Sequence, residues 1–317
     1  MRLLTILLLM IMAARASGQK IDNTVSYRGM SGDRYLRINY DNDLFAGQDQ
    51  NYTQGYSIEL VSPVLSKNPV NKIFFQFAED RQISGIVFEH LGYTPERYDR
   101  TEIQIGDRPF AGVATLKYFK ISINEKSKQR ITSQLNAGVM GPAAIGKEIQ
   151  TSIHEITGSL MPRGWKNQIN NQFVLNYAID YEMELTRIEN YLGLTMNASA
   201  TLGNLNTKAA IGFSSTFGLV NDPYRLSKDN KFLLYGYVQS MIAAVGYDGT
   251  LQGAILGNDS VYTIPAADVS RLVGQVKYGL ILQTSGLYLE YSRSSITREI
   301  KTLEGASWGG FRIGLNI

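Results

Sequence analysis

The chain of 317 residues contains no cysteine. Disulfide frameworks and thiolate metal sites are therefore excluded. An exported protein without disulfides needs another source of stability. A closed β-barrel in a membrane is one such source, because every backbone polar group in its wall is paired within the sheet.

An excess of charge of one sign is also lacking. The sequence has 31 basic and 28 acidic residues, which gives a formal net charge of +3. No run of basic residues stands out, so the charge pattern does not indicate a nucleic-acid partner. We expect no nucleic acid among the partners of this protein.

Long apolar runs are confined to the start of the chain. Arg2 is followed by an apolar run at residues 3–12 and by small residues at 13–18. This pattern predicts a secretory signal peptide over residues 1–18, with a retained anchor as the alternative. No later run approaches the roughly 20 apolar residues of a membrane-spanning helix. We expect residues 19–317 to form a single outer-membrane domain.

Alternation of apolar and polar residues dominates the rest of the sequence. Segments of about ten alternating residues are typical of membrane barrels, and the chain is rich in tyrosine (19) and glycine (30). In residues 173–185 one face is apolar and the other carries Asp180, Glu182 and Glu184. This segment is longer than most strands of soluble sandwiches. Because its acidic face also suits a hydrated lumen, a barrel is favoured over a sandwich.

About twelve strands are predicted, and an even number is what bacterial single-chain barrels have. They lie at residues 34–41, 52–62, 72–79, 113–123, 131–139, 173–185, 191–202, 208–219, 231–247, 270–284, 287–298 and 307–317. Residues 83–106 and 251–267 are expected to be loops or strand extensions. The predicted fold is all-β, a twelve-stranded antiparallel transmembrane β-barrel.

Residues 146–165 interrupt the strands with a helical pattern, in which Gly158 and Pro162 are the predicted stop signals. Ile149, Ile153 and Ile156 recur at helical spacing and form an apolar stripe. Gln150 and His154 are four residues apart, so both project from one face of the predicted helix. The sequence therefore predicts a short inserted helix that carries His154, one of only two histidines, and we expect this histidine to lie in an active site.

Three polar clusters depart from the barrel pattern. They are residues 41–43 with residues 52–55, residues 107–109, and Gln150 with His154. If they meet at one mouth of the barrel, their carboxylate, amide and hydroxyl oxygens suit calcium. An imidazole beside them is able to accept a proton from water.

Each cluster also has a simpler interpretation. Residues 41–43 also fit an Asx turn, and residues 107–109 fit a loop with a salt bridge. His154 also fits a packed or solvated helix position. His90 lies among apolar residues and is interpreted as structural.

The clusters together resemble a known family. The strings are DNDLFAGQDQNYTQGYSIEL (residues 41–60), DRPFAG (107–112) and GVMGPAAIGKEIQTSIHEITGSLMPRGWKNQINNQ (138–172). In this order they resemble the lipid A 3'-O-deacylase family of outer-membrane barrels. The similarity of motifs covers about residues 34–175, and beyond that only the strand pattern agrees.

The resemblance implies calcium-dependent hydrolysis of the ester-linked acyl chains at the 3' position of lipid A. It implies that Asn42, Asp43 and Thr53 hold or orient Ca²⁺, which stabilises the oxyanion. Gln150 and His154 match the helix pair of the family, with His154 as the general base that activates water. The expected surroundings are the Gram-negative outer membrane and its lipids, with lipopolysaccharide as substrate and a monomeric protein.

Two departures from the family pattern are visible. A lysine that the family carries in the loop before the DR string is missing, and Arg100 is its candidate equivalent. The chain ends in Ile317, whereas barrels of this kind often end in an aromatic residue.

Two other functions are compatible with a barrel. One is a non-enzymatic channel or adhesin in which the polar clusters line the lumen. The other is a serine-type outer-membrane esterase or phospholipase with Ser57 or Ser152 as nucleophile, although no G-x-S-x-G elbow is present.

Overall fold

The computed structural model describes residues 21–46, 51–77, 81–225 and 231–317. The predicted signal peptide, residues 1–18, lies outside the described residues. The strands are β1 (Tyr35–Asn42), β2 (Asn51–Val61), β3 (Arg81–Thr94), β4 (Ala111–Asn124), β5 (Gln129–Met140), β6 (Gln172–Ile188), β7 (Leu192–Gly203), β8 (Asn206–Leu219), β9 (Leu233–Asp248), β10 (Leu272–Gln283), β11 (Leu287–Ile296) and β12 (Ser307–Asn316). The helices are α1 (Gly146–Thr157) and the short α2 (Gly249–Gln252).

The described strands close into one antiparallel barrel. Each strand pairs with its neighbours in sequence, and β1 pairs with β12 from Tyr35 opposite Asn316 to Asn42 opposite Gly309. Closure removes the free edges of the sheet, so all wall strands have two partners. The predicted twelve-stranded antiparallel barrel with an inserted helix is confirmed.

Side chains alternate between the lumen and the outer surface. In β6, Phe173, Leu175 and Leu185 are exposed on the outside, whereas Val174 and Glu182 are buried toward the lumen. The same alternation holds in β1 and β12, as predicted. The exposed apolar side chains of the wall form the belt that faces lipid in membrane barrels, and we call them the lipid belt.

One strand was assigned to the wrong residues. Residues 63–67 and 69–73 form 3-10 turns that each begin with proline, and the strand predicted at residues 72–79 is wrong for residues 72–77, the part of it that the structure describes. The strand instead is β3, in a region that we expected to form a loop or strand extensions. Polar residues on both faces conceal it, because Glu89 pairs with Lys117 in the lumen while His90 is covered on the outside.

Residues 21–33, which the sequence indicated only as a polar lead-in, cross the lumen. Arg28 of this segment forms a buried salt bridge with Glu290 of β11 at 2.7 Å. The backbone N–H of Ser26 donates to Glu182 at 3.0 Å, and Asn23 accepts from Arg312 at 3.1 Å. These contacts reach opposite sides of the wall, so the segment is held across the lumen.

The two ends of the barrel differ. The end that bears α1 also carries the connections β1–β2, β3–β4, β9–β10 and β11–β12, and we call it the helix end. At the opposite end, the turn end, residues 62–77 fold back along the outer wall: Phe75 N donates to Ser133 Oγ and Phe77 N to Ser122 Oγ. No helix in the described ranges is long and apolar enough to span a membrane.

Candidate active site

Helix α1 lies against the outer surface of the barrel wall. Its first residue, Gly146, meets Gly112 of β4 so closely that a Cβ on Gly112 would lie 3.3 Å from the Gly146 backbone. Gly112 has the same strand parity as Leu116, which is exposed on the outside, whereas Val113 between them is buried. Two glycines therefore allow the helix to approach the wall backbone to backbone.

His90 anchors the turn that precedes α1. Its side chain faces outward from β3, is buried, and its Nε2 lies 2.8 Å from the carbonyl oxygen of Ala144. Because a carbonyl only accepts, Nε2 donates and carries the proton. This contact agrees with the structural interpretation of His90.

The helix ends at the first of its two predicted stop signals. Its last residue is Thr157, and Gly158 follows in the left-handed conformation with φ 69°. The chain then turns back, so that Trp165, the last residue of the stretch with the helical pattern, begins a separate 3-10 turn. This return brings Leu160 and Trp165 against the face of α1 that carries Gln150 and His154.

The polar face of α1 is the buried one. Gln150 and His154 are 1% and 8% exposed, whereas Ile156 is 85% exposed. For a helix in water this arrangement would be inverted, since the apolar stripe normally faces the protein. The two predicted site residues thus share one sheltered face of the helix, between it and the rest of the protein.

The imidazole of His154 is held in one orientation. Its Nδ1 lies 2.5 Å from the carbonyl oxygen of Leu160, to which it donates. The ring of Tyr98 meets the imidazole edge to face, with centroids 5.5 Å apart. In a neutral imidazole that donates from Nδ1, Nε2 carries the lone pair. The ring therefore has the tautomer that a general base requires at Nε2.

Gln150 is fixed by a residue that sequence reasoning did not assign to the site. The indole Nε1 of Trp165 donates to Gln150 Oε1 at 2.6 Å. In the described part of the chain, Gln150 Nε2 is buried and has no hydrogen-bond partner. A buried amide with a spare donor suggests a missing acceptor, such as a substrate oxygen or a water.

Asn42 and Asp43 lie where β1 ends. Asn42 Oδ1 accepts from the backbone N–H of Leu44 at 2.8 Å, which is an Asx turn. Asp43 begins a 3-10 turn and is 1% exposed. The turn interpretation of residues 41–43 is therefore correct, and it also buries a carboxylate at the helix end.

Thr53 lies in a β-bulge. The register of β2 against β3 shifts between Tyr52 and Gln54, and Thr53 Oγ1 lies 2.6 Å from Thr94 Oγ1. Bulges redirect side chains and are frequent beside active sites. No signal in the sequence marked Thr94 as the partner.

One row of paired residues connects these wall positions with the helix. Asn42 lies opposite Gln54, Gln54 opposite Gly92, and Gly92 opposite Gly112. Three strand spacings of ~4.8 Å make the row about 14 Å long, and it ends where α1 begins. Gly146 and His154 are separated by about 12 Å along the helix axis at 1.5 Å per residue. The wall group (Asn42, Asp43 and Thr53) and the helix pair (Gln150 and His154) thus share the outer surface at the helix end.

The predicted cluster at residues 107–109 does not join the other two clusters on the outer surface. Arg108 is buried with its guanidinium carbon 4.3 Å from the centroid of the lumen-facing Tyr93 ring. It forms a salt bridge with Glu299 at 3.2 Å and donates to Thr250 at 3.2 Å. Burial raises the pKa of the Glu299 carboxyl, although Arg108 opposes the shift. Residues 107–109 therefore tie loops together across the mouth of the lumen.

The remaining candidates differ in location: Arg100 lies in the loop that carries Tyr98, the neighbour of His154, whereas the two serines lie elsewhere. Arg100 is half-exposed beside Asp99, and its carbonyl oxygen lies under Gly164. Ser57 faces the lumen and accepts from Asn23 at 3.1 Å. Ser152 is exposed on α1, about 160° around the helix axis from His154 at 100° per residue. Neither serine has the histidine neighbour that a serine nucleophile needs.

The donor chemistry of the wall group suits a hard cation. Asn42, Asp43 and Thr53 offer amide, carboxylate and hydroxyl oxygens, the ligand types of calcium. Within the described ranges no group of three or more His, Cys, Asp or Glu side chains is placed to hold a metal. The three residues nevertheless fit, by the type of their oxygen donors, the calcium that the resemblance implies.

Comparisons with known proteins agree with the fold. The solved structure of LpxR from Salmonella typhimurium is 18% identical, with a TM-score of 0.73, and the match covers 89% of this chain and 100% of that one. The β domain of the Bordetella autotransporter BrkA is 9% identical, with a TM-score of 0.49, and the match covers 90% and 100%. A search of curated proteins found no match. The sequence model described as "Outer membrane protein LpxR" matches residues 3–317, and the chain therefore belongs to the LpxR family of outer membrane proteins.

Proposed function

We propose that this protein is a calcium-dependent hydrolase that removes the ester-linked acyl chains at the 3' position of lipid A. The observation that carries the proposal is the buried His154, whose Nδ1 donates to Leu160 so that Nε2 remains a base. Membership of the LpxR family and the motif resemblance to lipid A 3'-O-deacylases support this choice of substrate and bond.

His154 is the general base of the proposed reaction. Its Nε2 takes a proton from water as the water oxygen attacks the ester carbonyl carbon. The same proton then passes to the leaving alkoxide oxygen, and the acyl chain departs as a carboxylic acid. The Leu160 carbonyl supports the transient imidazolium, because it accepts from the Nδ1–H throughout.

Asn42, Asp43 and Thr53 are the residues that would hold calcium. When bound there, the ion would supply positive charge to the oxyanion that forms at the ester carbonyl. The turn of Asn42 and the bulge of Thr53 set the directions of these oxygens before any ion binds.

Gln150 is a positioning group with a spare donor. Because Trp165 occupies Oε1, the Nε2 amide hydrogens remain for an oxygen of the substrate or of the attacking water. The hydrogen bond from the indole N–H also fixes the orientation of the Gln150 amide, whereas the amide of an isolated glutamine has no preferred orientation.

The location of the wall group and of α1 favours a lipid substrate over a channel function. Asn42, Gln54 and α1 lie on the outside of the wall, and the lumen of the barrel is occupied by residues 21–33. A substrate that reaches the group must therefore approach from outside the barrel. Lipid in the surrounding leaflet has this access, whereas a solute in the lumen does not.

Mass spectrometry of lipid A from Gram-negative cells that express the protein tests the proposal. Wild type should yield lipid A without its 3' acyl chains, and His154→Ala should yield intact lipid A. Ser152→Ala, on the exposed side of the same helix, is the matched control and should act like wild type. Intact lipid A with the folded wild type, or continued deacylation by His154→Ala, would refute the proposal.

A further inference from the structure

Helix α1 has three distinct faces around its axis. At about 100° per residue, Gly146, Gln150 and His154 lie on the buried face. A second group, Ile145, Ile149, Ile153 and Ile156, follows one flank about 90° away, and we call it the isoleucine flank. The charged residues Lys147, Glu148 and Glu155 occupy the remaining circumference.

The isoleucine flank is not covered by the protein. Ile145 is 54% exposed, Ile156 is 85% exposed, and Ile149 and Ile153 are partly exposed. Leu160 continues the exposed apolar surface beyond the helix. Single exposed aliphatic residues are ordinary, but an aligned row of them marks an interaction surface.

The position of the helix along β4 identifies its surroundings. At the turn end, Tyr118 donates to the carbonyl of Leu65, and residues 62–77 cover the wall below it. Polar loop backbone does not lie exposed in hydrocarbon, so the lipid belt of this strand begins near Tyr118. It must extend from there toward the helix end.

The helix contacts the wall within the height of that belt. Gly112 is six residues from Tyr118 on the same strand. At ~3.4 Å per residue and a strand tilt of ~40°, this is about 15 Å along the barrel axis. The apolar band of outer-membrane barrels is about 25 Å tall. The contact between Gly112 and Gly146 therefore falls inside the band.

The isoleucine flank also continues the lipid belt laterally. Leu116 of β4 and Phe88 of β3 lie on the outer wall beside the helix, and Phe173 starts β6 where the loop of α1 ends. We propose that the isoleucine flank is a membrane-embedded surface that contacts the acyl chains of the outer leaflet. The charged residues then point to the headgroup region, as in interfacial amphipathic helices.

This placement deepens the proposed function, on which the following consequence rests. A helix that lies flat at the hydrocarbon boundary holds His154 at the depth where the ester bonds of a lipid meet its acyl chains. The substrate then enters sideways from the leaflet and need not leave the membrane. Contact with hydrocarbon is a property of the helix itself and holds whatever reaction occurs beside it.

Depth-dependent fluorescence quenching tests the contact. The native chain contains no cysteine, so Ile156→Cys, Glu155→Cys and Leu116→Cys each give one labelling site for an NBD fluorophore. The labelled proteins are reconstituted in dioleoylphosphatidylcholine vesicles with or without bromine on the acyl chains. Folding of each variant is checked by its heat-modifiable migration in gels.

The proposal expects a large loss of emission in brominated vesicles at position 156, equal to that at the belt position 116. Position 155 should lose little emission. Equal, weak quenching at 155 and 156 would overturn the proposal and place the flank in water. Energy transfer between labelled copies at 156 without quenching by bromolipid would also overturn it, because a second copy would then cover the flank.

A second comparison links the surface to turnover. Ile156→Glu and Lys147→Glu each add one carboxylate to an exposed position of α1, the first on the isoleucine flank and the second on the charged face. Ile156→Glu should slow deacylation of lipid A in vesicles but not in detergent micelles, and Lys147→Glu should do neither. An equal loss in both media, or none, would contradict the role in turnover. If wild type deacylates nothing, the proposed function fails while the quenching result still decides the contact.

Discussion

The lumen and the helix-covered outer wall both bury polar side chains, but they do so differently. In the lumen, opposite charges meet: Arg28 with Glu290 at 2.7 Å and Arg37 with Glu59 at 2.8 Å. On the outer wall, the buried groups are mostly neutral amides, hydroxyls and imidazoles. Among the described residues, Gln54 Nε2, His90 Nδ1 and Gln150 Nε2 have no hydrogen-bond partner there, and lumen atoms such as Gln275 Nε2 also lack one, so the regions differ in their charge pairs.

We infer from this difference that the charge pairs of the lumen serve stability and that the neutral groups buried on the outer wall serve the reaction. Salt bridges between the lumen segment and the wall hold two parts of the barrel together, and removal of one partner leaves a buried charge. Neutral groups with an unused donor or acceptor are less costly to bury than an unpaired charge, and they remain available to a ligand. We therefore expect changes in the lumen to affect stability, and changes beneath α1 to affect turnover.

The largest expected effect is the loss of activity when the metal is removed. Chelation of calcium from protein in detergent should lower the deacylation rate by ~100-fold or more, because the oxyanion loses its electrostatic support. Asp43→Asn should lower the rate similarly and should raise the calcium concentration needed for activity. Rates are measured by mass spectrometry of lipid A with added Ca²⁺ or Mg²⁺. Full activity in the chelator would rule out the calcium role.

A change in the lumen should give the largest loss of stability. Glu290→Ala leaves Arg28 and Arg312 without their shared carboxylate, and loss of one partner from a buried ion pair costs about 3–5 kcal/mol. Urea unfolding in vesicles measures the loss. The rate per folded molecule should stay at the wild-type value, and a fall in that rate would show that the two regions are coupled.

Trp165→Phe should reduce turnover moderately and should lower stability less than Glu290→Ala does. The variant keeps one aromatic ring but removes the N–H that donates to Gln150 Oε1. Leaving that oxygen buried without a donor should lower the unfolding free energy by roughly 1–3 kcal/mol. Because the amide is then free to turn, we also expect the rate to fall about ten-fold. Unchanged kinetics would show that the orientation of Gln150 does not matter for turnover.

The smallest expected effect is that of His90→Phe. The variant loses the hydrogen bond to the Ala144 carbonyl, which anchors the turn before α1. A net hydrogen bond contributes about 1 kcal/mol, so the unfolding free energy should fall by about that amount and turnover only a few-fold. Complete inactivity with intact folding would mean that His90 has a direct part in the reaction.

The sequence predicted the barrel well because alternation determines which side chains face lipid. The strand around Tyr177 was predicted with both faces correct. The strand around His90 was missed, because an outward polar residue breaks the pattern when a helix from elsewhere covers it. The local periodicity of a sequence carries no information about such tertiary contacts.

The candidate site was predicted residue by residue but not in its surroundings. Spacing put Gln150 and His154 on one face of a helix, and both are buried together. The partners Trp165 and Leu160 depend on the turn after Gly158, which reverses the chain. Of the two interpretations of residues 107–109, the loop with a salt bridge is correct, because Arg108 pairs with Glu299 and lies over Tyr93.

The contacts of the lumen segment constrain how the protein assembles. Arg28 and Asn23 bond to Glu290 and Arg312, partners that lie 262 and 289 residues later in the chain. Contacts between such distant residues form late, because a large loop must close first. The interior of the cylinder thus stays incomplete until its last two strands arrive, and the joining of β12 to β1 both seals the wall and locks the earliest described residues inside.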